Sequence, residues 1–150
     1  MRTLKGHSNA IRHLKFLPNK LNLVSASDDT TVRLWDVAGS SEIANFQEHS
    51  DYVRALSVSV SSNGLFASGS YDGTINIYDA QSSSVLFQIN HESPVESIVI
   101  TREGSTLISA GEATIKFWNL LENGKLMNTI ECHQKSISCL QISPDGQYLL

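Results

Sequence analysis

The sequence predicts an all-β protein built from a repeated unit of four short antiparallel strands. A twelve-residue motif at 25–36 (SASDDTTVRLWD) returns at 68–79 and, one residue shorter, at 109–119. Four histidines recur at intervals of 42 residues: His7, His49, His91 and His133. Equal intervals in phase with a recurring motif indicate an internal repeat. No segment shows a sustained 3.6-residue apolar period, so no helix is expected.

Each repeat is predicted to be one blade of a β-propeller. A motif copy reads as a strand of small residues, a tight turn containing Asp, and an alternating strand, and two further short strands complete the unit. Four-stranded units that repeat radially form propellers, in which each blade needs its neighbours to bury its faces. The expected repeats, within one propeller segment of residues 1–150, are 1–47, 48–89, 90–131 and a truncated 132–150.

The strands of the first unit follow from its apolar alternation and its turn residues. The expected strands are 11–16, 21–27, 31–36 and 42–46, and residues 1–4 are expected to be the tail of an outer strand. The apolar spacing Ile11, Leu14, Phe16 breaks strict alternation, which indicates a bulge after Ile11.

The later units repeat this order. The expected strands of the second unit are 52–60, 65–70, 74–79 and 85–89, and those of the third are 95–101, 106–110, 114–119 and 126–130. A fourth unit begins with a strand at 137–143, turns at 144–146 and stops within its second strand at 148–150. The sequence therefore predicts about three and a half blades, whereas a closed ring needs about 4–8. The remaining blades are expected from sequence outside this chain or from a second chain.

Composition and charge narrow the class of protein. A hydrophobic content of 41% and a charged content of 17% are typical of a globular chain. No apolar run is long enough to cross a bilayer, so no membrane association is expected. Cys132 and Cys139 form neither a CxxC pair nor a disulfide framework, which favours reduced thiols.

The net charge of −4 argues against a domain that grips nucleic acid by charge alone. The surplus of bases is confined to residues 1–38. A weaker hypothesis of direct RNA binding depends on a basic corner near the start of the chain: Arg2, Lys5, Arg12 and Lys15.

The dipeptides Gly6-His7 and Trp35-Asp36 and the turn 143–146 (SPDG) resemble the WD-repeat family. Segments 48–54 and 69–72, with 94–97 and 109–111, further resemble nucleolar members of that family that associate with the U-three small nucleolar RNA. This resemblance implies a non-catalytic protein-interaction scaffold in small-subunit ribosomal RNA processing and ribosome biogenesis. It implies other proteins of a multi-subunit complex as partners, indirect contact with pre-ribosomal RNA, no cofactor, and a nucleolar location.

Two other functions stay open at this point. One is a WD-repeat adaptor of another complex, such as a ubiquitin-ligase substrate receptor or a signalling scaffold, in the cytoplasm or nucleoplasm. The other is a propeller enzyme, which would require converging acids or metal ligands that the sequence does not indicate. A Ser-His-Asp hydrolase is disfavoured because no GxSxG elbow occurs. A metal site is disfavoured because one histidine per blade diverges around a ring.

The family resemblance also implies a buried hydrogen-bond chain in each blade. In the first unit it maps onto His7, Ser25 or Ser27, Asp29 and Trp35, and in the second onto His49, Ser68, Asp72 and Tyr78. The third unit lacks one residue around 111–113 and has no Asp there. A weakened polar chain is therefore expected in the third unit, with His91 more exposed.

A partner-binding face is implied by the same resemblance. Its positions lie a few residues after the motif histidine and just before the turn Asp: Arg12, Asp28, Tyr52, Arg54, Tyr71 and Glu96. Aromatic and Arg side chains are the types that most often anchor interfaces. Tyr52, Arg54 and Tyr71, which come from one blade, are the preferred anchor.

Overall fold

Three four-stranded antiparallel sheets follow one another along the chain in the computed structural model, which describes residues 3–19, 21–61, 64–131 and 134–150. The first blade consists of β1 (Ile11–Phe16), β2 (Asn22–Ser27), β3 (Val32–Asp36) and β4 (Ser41–Phe46). The second consists of β5 (Val53–Val58), β6 (Leu65–Ser70), β7 (Thr74–Asp79) and β8 (Ser84–Asn90). The third consists of β9 (Ser97–Ile100), β10 (Thr106–Gly111), β11 (Thr114–Asn119) and β12 (Lys125–Glu131).

Within each blade the strands pair in chain order, so every connection is a hairpin. The innermost strands β1, β5 and β9 lie next to one another across the blades. The expected bulge after Ile11 is confirmed, because the register of β1 on β2 shifts between Ile11 and His13. The second blade repeats the shift between Val53 and Ala55. A 3-10 turn, Leu120–Glu122, lies between β11 and β12. No helix in the described ranges is long and apolar enough to span a membrane.

The apolar core lies between blades rather than within them. One cluster joins the first and second blades and contains Phe46, Phe66 and Tyr78. The rings of Phe66 and Tyr78 stack with centroids 4.7 Å apart. A second cluster joins the second and third blades, where Val95 packs so tightly on Gly69 that an added Cβ would lie 2.5 Å from it. Each blade is thus stabilised by its neighbour.

The three blades do not close into a ring. As a result, the same position of the repeat is buried where a preceding blade covers it and exposed where none does. Leu14 of the first blade is 55% exposed, whereas its counterparts Leu56 and Ile98 are 4% and 5% exposed. The three sheets therefore form part of a propeller whose ring is not closed, as the sequence predicts.

The fourth unit differs from the expectation. Residues 134–150 contain no continuous strand at 137–143; a bridge joins Ile142 to Leu149, and Gln141 and Leu150 exchange two backbone hydrogen bonds. A two-stranded hairpin without further strands is marginal, which accounts for the loss of regular pairing. The strand expected at 1–4 is also wrong for Thr3 and Leu4, which lie in no strand. Met1, Arg2, Cys132 and His133 lie outside the described residues.

Candidate interaction face and the buried polar chains

A continuous hydrogen-bond chain runs through the first blade. The indole N–H of Trp35 donates to Ser25 Oγ at 2.8 Å, and Ser25 Oγ lies 2.6 Å from His7 Nε2. The other ring nitrogen, His7 Nδ1, lies 2.8 Å from Asp29 Oδ2. One assignment satisfies every group: Ser25 donates to Nε2, and the Nδ1–H donates to the carboxylate. Ser25, rather than Ser27, is the hydroxyl of this chain.

Asp29 is held as a carboxylate by several donors at once. Its oxygens accept from the Ser8 amide, and from the amide and hydroxyl of Thr31 at 3.0 and 2.7 Å. Burial would raise the pKa of Asp29, but the hydrogen bonds from Thr31, His7 and Ser8 outweigh it and hold the pKa well below its usual value. The sequence analysis missed the threonine, although a Thr follows the turn Asp by two residues in both intact motif copies.

The second blade repeats the chain with a phenol in place of the indole. Tyr78 Oη lies 2.9 Å from Ser68 Oγ, which lies 2.7 Å from His49 Nε2. His49 Nδ1 lies 2.9 Å from Asp72 Oδ2, and Thr74 donates to Asp72 through its amide and hydroxyl. Burial raises the pKa of the fully buried Tyr78, so its phenol stays protonated and able to donate.

The third blade keeps only one end of the chain. Trp118 Nε1 donates to Ser109 Oγ at 2.7 Å, as in the first blade. His91 Nδ1 turns instead to the carbonyl of Ser93 at 3.0 Å, and His91 Nε2 is buried with no hydrogen-bond partner among the described residues. The turn explains the break: Gly111 pairs directly with Thr114, so a two-residue turn leaves no position for an Asp.

The expectation that His91 is more exposed is wrong, because its exposed fraction is 0%. The Gly111 backbone and the Trp118 ring, whose centroid lies 6.1 Å from that of the imidazole, enclose it. Burial lowers the pKa of His91, the Ser93 carbonyl opposes this, and the nearby Lys116 lowers the pKa further. Packing against Gly111 and Trp118, together with the contacts of Nδ1 to Ser93, thus positions the third histidine without a carboxylate.

These chains are built for structure rather than for hydrolysis. Ser25 is 1% exposed and Ser68 is 0% exposed, and each hydroxyl lies between an aromatic donor and an imidazole. A substrate carbonyl has no route to either oxygen. Among the described residues, no group of three or more His, Cys, Asp or Glu side chains is arranged to hold a metal ion.

The predicted face residues meet in one surface cluster that crosses all three blades. We call it the Arg54 cluster: Arg12, Asp28, Tyr52, Arg54, Tyr71 and Glu96. At one end, the buried Asp28 accepts from Arg12 Nε at 2.8 Å and forms an ion pair with Arg12 Nη2. Hydrogen bonding with Arg12 lowers the pKa of Asp28, against the effect of burial, and the charge of Arg54 lowers it further.

Arg54 lies at the centre of this cluster. Its guanidinium carbon is 5.5 Å from the ring centroid of Tyr52 and 5.1 Å from that of Tyr71. Its Nε approaches Asp28 Oδ1 at 3.3 Å without hydrogen-bond geometry, so one Asp28 oxygen and one Arg54 N–H remain unpaired within the described residues. Cations over aromatic faces at these distances attract by about 0.5–2 kcal/mol.

Glu96 ends the cluster in the third blade. Tyr71 Oη donates to its two carboxylate oxygens, at 2.9 and 3.0 Å. Burial, followed by this hydrogen bond, raises the pKa of Tyr71. Backbone bonds from Tyr71 N to Tyr52 O and from Glu96 N to Ala110 O fix the loops that carry these side chains. The cluster therefore presents a rigid, half-exposed Tyr-Arg-Tyr group flanked by carboxylates.

Comparison with known families agrees with this geometry. The model of the WD domain, G-beta repeat (WD40) matches residues 1–36, 40–79, 83–119 and 124–150. The chain belongs to the WD40 family. The matches cover most of the chain, and the buried chain of the first blade contains His7 and Trp35, one residue from each of the two signature dipeptides.

Similar WD40 proteins have been characterised. The chain is 40% identical over 150 residues to "U3 small nucleolar RNA-associated protein 15 homolog" of Xenopus laevis, covering 100% of this chain and 29% of that protein. It is 37% identical over 125 residues to "U3 small nucleolar RNA-associated protein 15" of Saccharomyces cerevisiae, covering 81% and 24%. Among solved structures, "Crystal structure of RRP9 WD40 repeats" matches with a TM-score of 0.86 and 27% identity, covering 93% and 44%. The chain thus spans less than a third of the length of these curated relatives.

Proposed function

We propose that the chain is a non-catalytic protein-interaction scaffold that serves small-subunit ribosomal RNA processing and ribosome biogenesis. The observation that carries the proposal is the Arg54 cluster, in which Arg54 lies between two tyrosines beside Asp28, and one of those tyrosines, Tyr71, donates a hydrogen bond to Glu96. Large, rigid aromatic and Arg groups supply most of the binding energy of protein interfaces. No catalytic group is assigned, because each hydroxyl of the polar chains is enclosed.

The cluster is poised to change partners with little rearrangement. The Asp28 oxygen and the Arg54 N–H that lack hydrogen bonds are buried against each other, so a protein that offers an acceptor would meet the rest of the Arg54 side chain, which is 27% exposed. Tyr52 is 43% exposed, which leaves much of its surface available for contact. A loop with a carboxylate or backbone carbonyl and an apolar side chain fits this arrangement.

The process is proposed from the relatives. Two curated relatives carry names that associate them with the U3 small nucleolar RNA. These names support the proposal that the chain serves in a multi-subunit RNA-processing complex in the nucleolus, with pre-ribosomal RNA reached through other proteins.

The experiment is affinity purification from the native cell, comparing the wild-type chain with the double variant Tyr52→Ala, Arg54→Ala. We expect U3 small nucleolar RNA and small-subunit processing proteins to co-purify with the wild-type chain. Truncating such anchors costs about 2 kcal/mol or more of binding free energy. We therefore expect the double variant to lose at least roughly 30-fold in affinity for its partners. Lys125→Ala is the matched control, since Lys125 is exposed and pairs only with Glu122 among the described residues.

Two outcomes would contradict the proposal. Recovery of a ubiquitin ligase or a signalling complex without pre-ribosomal components would favour the adaptor alternative. Unchanged recovery with the double variant, with its fold shown intact by circular dichroism, would remove the Arg54 cluster as the binding site.

A further inference from the structure

Two arginines converge on one buried carboxylate in the Arg54 cluster. Asp28 Oδ2 accepts from Arg12 Nε at 2.8 Å, and Asp28 Oδ1 lies 3.3 Å from Arg54 Nε. Because the two cations share a single anion, this end of the cluster carries a surplus of positive charge. The Asp28 side chain is 6% exposed, whereas those of Arg12 and Arg54 are 39% and 27% exposed. The surplus charge therefore lies on the outer side of the cluster.

The Arg54 guanidinium has donors without acceptors. It makes no hydrogen bond within the described residues, since the approach of its Nε to Asp28 lacks the required geometry. A guanidinium has five N–H donors, and only the Nε of Arg54 is among the buried unpaired atoms, so its terminal donors face the solvent. Its strand, β5, contacts both β1 and β9, so a blade lies on each side of it. The open ring therefore does not account for the exposure of these donors.

Two tyrosines hold the guanidinium in one orientation. Its carbon lies 5.5 Å from the ring centroid of Tyr52 and 5.1 Å from that of Tyr71, and hydrogen bonds to Glu96 fix the Tyr71 hydroxyl. A planar guanidinium can donate two parallel hydrogen bonds to the two oxygens of a carboxylate, and such charged bonds are about twice as strong as neutral ones. A carboxylate therefore fits Arg54 better than a backbone carbonyl, which offers one uncharged oxygen.

Acidic groups beside the arginines limit the charge of the ligand. Glu96 ends the cluster in the third blade, and the exposed Asp51 precedes Tyr52. A single carboxylate compensates the surplus positive charge, whereas a phosphorylated side chain would bring about 1.5 to 2 negative charges towards these acids. A polynucleotide would bring a row of phosphates past them. The charges therefore favour an isolated carboxylate from a protein over a phosphate ligand.

We propose that the partner protein docks an aspartate or glutamate side chain onto Arg54 and places the apolar neighbours of that residue on the exposed face of Tyr52. The acid belongs to an internal segment rather than to a chain terminus, because the cluster crosses all three blades and lets the segment continue on both sides. This inference rests on the partner face in the proposed function and adds the chemistry of the group that binds there.

The test is an NMR titration of the purified, isotope-labelled chain, followed on the Nε–H signal of Arg54 and the amide signals of Tyr52 and Tyr71. The probe is a pentapeptide, capped at both ends, with leucines on either side of a central glutamate. Its counterparts carry glutamine or phosphoserine at the centre, or glutamine together with a free C-terminal carboxylate. We expect the glutamate peptide to bind about fivefold or more tightly than the capped glutamine peptide, and more tightly than the other two.

Variants separate the fork of the guanidinium from its charge. Arg54→Lys keeps the charge but loses the fork, so the preference for glutamate over glutamine should fall to about twofold or less. Arg33→Lys is the matched control, because Arg33 pairs with Glu42 outside the cluster, and it should keep the full preference. Glu96→Gln removes a limiting acid and leaves Tyr71 an oxygen to donate to. It should raise the affinity for the phosphoserine peptide more than the affinity for the glutamate peptide.

Several results would overturn the inference. Equal binding of the glutamate and capped glutamine peptides would do so, as would an unchanged preference in Arg54→Lys. No shift of the three signals by the glutamate peptide at about 10 mM would have the same consequence. Tighter binding of the phosphoserine peptide, or of the peptide with a C-terminal carboxylate, would overturn the inference in favour of that ligand.

The co-purification experiment distinguishes this inference from the proposed function. If Tyr52→Ala, Arg54→Ala loses the native partners but the wild-type chain shows no preference for glutamate, the inference fails and the proposed function stands. If the double variant keeps its partners while the wild-type chain prefers glutamate, the proposed partner face fails and the carboxylate site stands.

Discussion

The second and third blades each bury the motif histidine, but they hold it with different groups. In the second, the carboxylate of Asp72 accepts hydrogen bonds from His49, Ser50 and Thr74. Both ring nitrogens of His49 are therefore hydrogen-bonded, one to Asp72 and the other to Ser68. In the third, the shorter turn removes the carboxylate, and His91 is enclosed with one bond to a carbonyl and one unpaired nitrogen. Both histidines are nevertheless buried.

The difference separates what buries the histidine from what orients it. Burial follows from the fold, since the imidazole lies between the turn and the aromatic strand end whether or not Asp is present. Orientation follows from the turn Asp, because the imidazole Nε2 contacts the serine hydroxyl only in the two blades that have this Asp. An unpaired buried nitrogen costs about 1–3 kcal/mol, so the polar chain stabilises the third blade less than it stabilises the second.

The largest expected effect is the loss of a turn carboxylate. Asp72→Ala leaves the buried His49 and Thr74 donors without their acceptor, and each buried donor left unpaired costs about 1–3 kcal/mol. Urea titration of the purified chain gives the free energy of unfolding of the wild type and the variant, and the difference between them is this cost. The matched change in the third blade is Glu112→Ala, on an exposed turn residue with φ of 52°, and it should stay within about 0.5 kcal/mol. Equal effects of the two variants would show that the carboxylate does not distinguish the blades.

A smaller effect is expected from the aromatic end of the chain. Tyr78→Phe keeps the ring that stacks on Phe66 but removes the donor to Ser68, which should cost about 1 kcal/mol. Tyr148→Phe is the control, because Tyr148 is 64% exposed, and its unfolding midpoint should not move. If Tyr78→Phe is as stable as the wild type, the phenol is a packing group only.

The smallest effect is a local response to acid. The pKa of His91 is depressed by burial below the usual 6.5, so the unfolded state binds the proton more readily. The stabilising contribution of neutral His91 is therefore complete above about pH 6.5 and is lost as the pH falls through the depressed value. The charged groups around it are Lys116, which favours the neutral form, and Glu92 and Glu112, which oppose it.

Hydrogen exchange between pH 7 and 5 measures this response, after correction for intrinsic rates. We expect amides of β10 and β11 to lose protection before those of β6 and β7, because burial also lowers the pKa of His49 but Asp72 opposes the shift. His91→Gln should remove the pH-dependent part in the third blade. Loss of protection that begins in the second blade would contradict the comparison.

Most of the blade architecture could be predicted because it is local. The alternation and tight turns give β6, β7 and β11 their correct bounds, and the irregular spacing after Ile11 gives the bulge. The predictions failed where pairing depends on partners outside the segment, as at 137–143. His91 shows the same limit, because its burial comes from packing and not from the missing Asp.

The candidate sites divide in the same way. Repeat phase places Arg12, Arg54 and Glu96 at equivalent positions 42 residues apart, so their shared face follows from the sequence. The sharing of Asp28 between Arg12 and Arg54 could not be predicted, because it depends on how two blades meet.

The contact between Gly69 and Val95 has a consequence for the order of the blades. The counterparts of Gly69 are Ala26 in the first blade and Ala110 in the third, and Val53, the counterpart of Val95, is buried in the same cluster as Ala26. The first interface therefore accommodates an alanine near its valine, whereas at the second interface an added methyl group at Gly69 would overlap Val95. Each pair of neighbouring blades is thus fitted to its own side chains, and a repeat moved to another place in the array would need this valine contact to readjust.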